Sequence, residues 1–258
     1  MKKIAVAMMT FARPDYLDKA LTSLEECFGT QEYDYFFFQD GLKGSPHNPK
    51  YRNITQEMVD QCIERVKASS LPIVEHKINE VNRGVSWQIN SVFDLFDRYD
   101  ALFIFEDDLI VSKWYLRLLK QVTTEMPNCV VSFHSVGKKY AGNNHDLRLL
   151  VKANCPRTWG FNMTKEVWNK FQPIWRRRWL KEFRHGVRTP YYDTVMTQAL
   201  KKIKVSKRVP LISRAYGIGE EGILSTNPTN WKRRGLHRQQ KQYQFKEDKK
   251  ICGFKLRR

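Results

Sequence analysis

Three short apolar runs limit what this chain can become. Ile4-Ala5-Val6-Ala7-Met8-Met9, Tyr35-Phe36-Phe37-Phe38 and Ala101-Leu102-Phe103-Ile104-Phe105 are continuous rather than alternating. Runs of that length match strands buried on both faces, as in parallel sheets. Leu71 to His76 reads as a further strand. Amphipathic helical stretches lie between the runs. Pro14 opens the first, where its fixed φ and missing N–H are harmless, and Leu17, Ala20, Leu21 and Leu24 follow at helical spacing. Ile54 to Lys67 carries Ile54, Met58, Cys62 and Val66 on one face, and the Asn82-Arg83-Gly84 turn feeds a stripe of Val85, Ile89, Val92, Phe93 and Phe96. A fourth helix is expected from Ser112, a good N-cap, through Leu119. The order β-α-β-α-β-α-β-α predicts an α/β fold, a mixed Rossmann-like sheet flanked by helices.

The second half is less regular. Val130 to Phe133, Trp159-Gly160-Phe161 and Pro210 to Arg214 read as extended, with helices at Thr164 to Phe171 and Asp193 to Leu200. Trp87, Trp114 and Trp168 fit the core faces of helices. With no internal repeat and no clear linker, residues 1–258 read as one domain: a half over 1–129, a second over 130–230, and a basic tail over 231–258. Charge divides the same way. Residues 1–129 hold 15 Lys and Arg against 19 Asp and Glu, whereas residues 130–258 hold 30 against 8, giving +18 for all 258 residues. So one-sided an excess points to an anionic partner, nucleic acid or an anionic membrane surface; the competing reading is a merely soluble basic face. No run approaches the ~18 apolar residues of a membrane span. The opening residues turn polar too soon for a signal peptide. Five scattered cysteines without a C-x-x-C pair argue against a disulfide framework or zinc site, and a cytoplasmic home is expected.

Ligands of doubly wound sheets bind beyond the carboxyl ends of the strands. Thr10 to Arg13, Asp40 and Glu106-Asp107-Asp108 all fall at such ends. Three adjacent carboxylates repel one another, so a positive group should offset them. A hard divalent cation sharing phosphate oxygens fits, while acids favouring a helix dipole are the plainer reading. Among the eight acids beyond residue 130, Asp193 and the pair Glu220-Glu221 remain as candidates for a catalytic base, and Asp193 also suits a helix N-cap. Trp175-Arg176-Arg177-Arg178-Trp179 interleaves aromatics with cations, either to stack on bases and hold phosphates or as a solvated helix face.

The run Phe103 to Leu109, with its Glu106-Asp107-Asp108, resembles the DxD-type motif of GT-A glycosyltransferases, in the form found in the inverting N-acetylglucosaminyltransferase I family. Ala7 to Pro14 is similar to that family's opening strand and nucleotide-binding turn, and Phe38-Gln39-Asp40-Gly41 to its second strand end. Trp159-Gly160-Phe161, Tyr192-Asp193 and Pro210 to Arg214 resemble later landmarks in the same order. The resemblance implies a GT-A fold and a metal-dependent transfer from a nucleotide-sugar, expected to be a UDP-sugar. It implies Asp108 as ligand of Mn²⁺ or Mg²⁺, Asp107 near the donor ribose or sugar, and Glu106 near the transferred sugar. Asp40 would meet the nucleobase, Thr10 and Arg13 the nucleotide, Ser225 the diphosphate, and Asp193 would be the base. Arg83 occupies a segment where the family places another nucleotide contact, with a different residue type. Nothing in the sequence resembles the membrane anchor and stem of Golgi members, so a secretory acceptor is not expected.

The basic half, with Trp175, Arg176, Arg177, Arg178 and Trp179, is expected to face a polyanionic acceptor. DNA with a hydroxylated base comes first, then an anionic or lipid-linked glycan. The alternative of another class is a non-catalytic nucleic-acid-binding module with a degenerate nucleotide fold. The intact acidic triplet speaks against it, since a binder of polyanions gains nothing from acids at its ligand edge.

Overall fold

A computed structural model of the chain describes residues 3–44, 53–134, 149–153, 159–183, 192–210, 213–219 and 254–256. Strands β1 (Ile4–Thr10), β2 (Asp34–Gln39), β3 (Ile73–Ile78), β4 (Ala101–Glu106) and β8 (Phe161–Thr164) form a sheet of order β3-β2-β1-β4-β8. The first four are parallel, and β8 runs antiparallel to β4. The fold is α/β, a mixed sheet flanked by helices.

Strand alternation explains how continuous apolar runs serve two cores. Val6 and Met8 of β1, Tyr35 and Phe37 of β2, and Phe103 and Phe105 of β4 share one apolar layer with α1 (Pro14–Glu25), α2 (Gln56–Lys67) and α4 (Tyr115–Glu125). Ala5, Ala7 and Met9, Phe36 and Phe38, and Leu102 and Ile104 pack on the opposite side against α3 (Val85–Phe93), α5 (Lys165–Phe183) and α6 (Tyr192–Lys202). Successive side chains point to opposite faces, so a strand covered on both sides has no place for a polar residue until it ends. The polar residues accordingly collect at the strand ends.

Four expectations are corrected. No helix starts at Ser112. Leu109–Val111 is instead a short strand, β5, antiparallel to β10 (Ala215–Gly217), and α4 begins at Tyr115. The pairing partner lies far along the chain, where local periodicity cannot register it. The helix expected over Thr164 to Phe171 continues as α5 to Phe183. Trp87 is not a core residue but 41% exposed. The tail is not wholly a tail: β11 (Lys255–Leu256) pairs parallel with β7 (Leu149–Lys152), and Phe254 packs on Phe133 with ring centroids 5.4 Å apart. Strands β11, β7, β9 (Ser206–Pro210) and β6 (Cys129–Val131) make a four-stranded sheet in that order. No helix among the described residues is long and apolar enough to cross a membrane.

Candidate functional site

The carboxyl ends of β1, β2 and β4 meet at one edge of the main sheet, held by a buried amide network. The Thr10 hydroxyl donates to Gln39 Oε1 at 2.7 Å. Gln39 Nε2 donates to the Phe11 and Asp40 carbonyls, at 2.5 and 2.8 Å. Gln88 of α3 donates to the Thr10 and Phe38 carbonyls, at 2.9 and 2.8 Å. Gln39 thus pairs carbonyls at and beyond the strand ends, and Gln88 adds a second donor to the Thr10 carbonyl, which already accepts the Asp40 N–H at 3.0 Å. Sequence reasoning missed both glutamines. The available signal was Gln88 lying on the apolar stripe with Val85, Ile89 and Val92, a place where a polar side chain needs a buried partner.

Asp40 is buried beside this network and ties it to the next loop. Its carboxylate accepts the N–H groups of Arg83 at 2.8 Å and Gly84 at 2.7 Å, and Asn79 Nδ2 at 3.3 Å. Burial pushes its carboxyl above the ordinary range, and these donors work against that rise. Gly84, which donates this N–H, has φ 79°, a backbone that L side chains avoid. The Arg83 guanidinium lies 5.4 Å from the centre of the exposed Trp87 ring.

The acidic triplet does not point one way. Glu106, the last residue of β4, accepts the hydroxyl of Tyr192 at the start of α6. Asp107 turns inward and pairs with Arg13 through Nη2 and, at 3.4 Å, Nε. Asp108 pairs with Arg13 Nη1 at 3.0 Å. Burial and then the Asp108 charge push the Glu106 carboxyl up to about 8. Burial alone would lower the Arg13 guanidinium, but Asp107 and Asp108 outweigh it and hold it firmly protonated. Arg13 occupies the N-cap position of α1 without capping it.

Asp193 follows Tyr192 in the first turn of α6, half-buried, and its Oδ1 accepts the Thr194 N–H at 2.7 Å. The Tyr192–Glu106 bond therefore brings the candidate base and the triplet to one edge of the sheet. Strand β10 leads into the same place, where the Ile218 N–H donates to the Asp108 carbonyl at 2.8 Å. A Cβ on Gly219 would lie 2.3 Å from Asp108 Oδ2, so a side chain there would push the Asp108 carboxylate aside.

Among the described residues, no group of three or more His, Cys, Asp or Glu side chains is arranged to hold a metal ion. A cation that shares phosphate oxygens with its substrate needs fewer protein ligands. Magnesium-like ions are commonly held by one or two carboxylates, with substrate phosphates and water completing the shell. Asp108, more exposed than Asp107 and beside Gly219, is the carboxylate that would hold such an ion.

The structure separates the residues expected to bind acceptor. Trp175 is 1% exposed, with Phe93 and Phe171 at ring-centroid distances of 5.3 and 5.5 Å, and its indole N–H donates to Asn90 Oδ1 at 3.1 Å. It is a core residue, not a stacking platform, because its position on α5 falls on the face turned to α3. Arg176 and Arg177 are exposed on the same helix. The side chains of Arg178 and Trp179, together with Ser225, Glu220 and Glu221, lie outside the described residues.

Compared by sequence, the chain matches no protein-family model and no curated protein. Compared by structure, it is similar to the crystal structure of S. aureus TarS residues 1–349, at 12% identity and a TM-score of 0.48. It is also similar to the same TarS segment in complex with UDP, at 14% identity and a TM-score of 0.49. In both cases 80% of this chain and 57% of that chain are covered, so the chain spans little more than half the length of those structures.

Proposed function

We propose that the chain is an inverting GT-A glycosyltransferase that moves a sugar from a nucleoside-diphosphate sugar, a UDP-sugar in our reading, to an acceptor hydroxyl. The observation that carries this is the convergence of the triplet, Arg13 and the start of α6 at the carboxyl ends of parallel strands. In this reading Asp40 fixes the 82–84 turn that faces the nucleobase, Thr10 holds the turn beneath the nucleotide, and Glu106, with Asp107 behind it, borders the sugar and ribose. Asp108 would hold a Mn²⁺ or Mg²⁺, which when bound would supply positive charge to stabilise the departing diphosphate. Asp193 accepts the proton of the acceptor hydroxyl as its oxygen bonds to the anomeric carbon and the bond to the diphosphate breaks. A carboxylate is needed because a sugar or alcohol hydroxyl is too weakly acidic to attack unaided.

Charge argues for the acceptor. The donor-binding half is near neutral, and the half beyond residue 130 carries the basic excess, so we take the acceptor to be polyanionic, DNA with a hydroxylated base before an anionic glycan. A screen of nucleotide-sugars for Mn²⁺-dependent hydrolysis, with and without duplex DNA, tests the assignment. UDP-sugar turnover that vanishes in Asp108→Ala, while thermal unfolding stays cooperative, is the expected result. No turnover of any nucleotide-sugar, together with no UDP binding by calorimetry, would return the chain to the non-catalytic class.

A further inference from the structure

Arg13 stands where a cation is least welcome on electrostatic grounds. A helix N-terminus carries partial positive charge and favours Asp, Asn, Ser or Thr at its cap. Here the N-cap position of α1 holds an arginine that caps nothing. Its guanidinium leaves the helix axis and reaches across the strand ends to the triplet: Nη2 and Nε meet Asp107, and Nη1 meets Asp108 at 3.0 Å. The two acids are not equivalent. Asp107 is deeply buried and also accepts the Phe11 N–H, so it is a fixed inner anchor. Asp108 is the more exposed, its Oδ2 lying between Arg13 and the space that Gly219 leaves open. One end of the fork is therefore locked and the other releasable.

We propose that Arg13 is the resident counter-cation of the acidic triplet, holding Asp108 until a diphosphate arrives with its divalent cation. This deepens the metal-and-diphosphate reading above and rests on it for the identity of the incoming group. The reason is charge balance. A divalent ion approaching alone meets a carboxylate already neutralised and a guanidinium within hydrogen-bond distance of its ligand oxygen. A diphosphate brings negative charge enough to offset both cations. It frees Arg13 Nη1 from Asp108 for a phosphate oxygen while the rest of the fork stays on Asp107. Metal and nucleotide then bind cooperatively, each more weakly alone than with the other. Without ligand, Arg13 keeps Asp107 and Asp108 from repelling each other.

The test reads Mn²⁺ binding, not turnover, by the electron paramagnetic resonance signal of free Mn²⁺ with the full chain. Wild type should bind Mn²⁺ weakly alone and more tightly once UDP is added. Arg13→Gln, which removes the charge, should bind Mn²⁺ alone about tenfold more tightly or better, from the loss of one close positive charge. Its gain on adding UDP should shrink. Arg13→Lys, which keeps the charge, should stay near wild type for Mn²⁺ alone. Because Arg13→Gln leaves Asp107 and Asp108 unbalanced, its thermal midpoint should fall and be raised by Mn²⁺ more than that of wild type. The proposal is overturned if Arg13→Gln binds Mn²⁺ no more tightly than wild type, or if Arg13→Lys and Arg13→Gln gain equally. A wild type that never binds UDP would instead remove the diphosphate reading. The Mn²⁺-only comparison needs no nucleotide and still decides whether Arg13 is the counter-cation.

Discussion

Asp193 sits one residue beyond the tyrosine that holds Glu106, and its Oδ1 accepts the Thr194 N–H. A bond of that kind orients the carboxylate without neutralising it, as a base requires. Asp193→Asn keeps the shape and removes the proton acceptor. It should retain UDP affinity and lose transfer by roughly 10²–10⁴-fold. Calorimetry and steady-state rates check the two halves of that statement, and a rate near wild type would pass the role to Glu220 or Glu221. Trp175 teaches the opposite lesson. Its neighbours in sequence are arginines, yet its ring is packed among Phe93 and Phe171. Trp175→Ala should cost about 3–5 kcal/mol, seen as a lower midpoint in urea unfolding, because a large buried ring leaves a cavity and orphans Asn90 Oδ1. Arg176→Ala, on the exposed face, should leave that midpoint unchanged.

Between elements, one arginine joins the two helices that cover the first apolar layer. Arg65 of α2 bonds Asp18 at 2.5 Å and Glu25 of α1 at 3.0 and 3.2 Å. Ser69 and the Ser70 N–H complete the shell of Glu25, at 2.6 and 3.3 Å. Burial works against the Glu25 carboxylate, but Arg65 and Ser69 outweigh it and hold it below its ordinary value. A depressed carboxyl contributes stability above its unfolded pKa and loses it as pH falls through the folded one. Arg65→Met should therefore be less stable than wild type by roughly 1–3 kcal/mol at neutral pH. The difference should narrow progressively below about pH 4 as Glu25 is protonated in both proteins. Urea midpoints across pH 3 to 7 measure it, and a constant gap would place the role of Arg65 in its hydrocarbon packing instead. Helix α6 does comparable work at the other edge, where the Tyr192 hydroxyl on Glu106 sets where its first turn stands.

At the scale of the whole molecule the separation of charge matters most. If the half beyond residue 130 grips a nucleic-acid backbone, binding must release condensed counterions. Contact with about six phosphates would lower affinity about a thousandfold between 50 and 200 mM salt. Fluorescence anisotropy with duplex DNA over a salt series measures this. Neutralising Arg176, Arg177 and Arg178 together should flatten the slope and leave UDP-sugar hydrolysis unchanged. Binding too weak to detect at the lowest salt would remove nucleic acid as acceptor without touching the donor site.

The continuous apolar runs by themselves determined the parallel core, because a strand covered on both faces leaves its composition no freedom. Glu106-Asp107-Asp108 and Asp40 were legible for the same reason: an acid that ends such a run must stand at a strand end. Tertiary structure decided what local pattern does not encode. It turned the three acids in different directions, put Arg13 between two of them, enlisted Gln39 and Gln88 as a buried scaffold, and brought Tyr192 to Glu106 across the length of the chain. It also withdrew Trp175 into the core and paired Leu109–Val111 with Ala215–Gly217. Each of these depends on which distant segment lies opposite. A helical or strand period reports how one segment distributes its own side chains, whereas a hydrogen bond or ion pair between segments exists only once both have been packed.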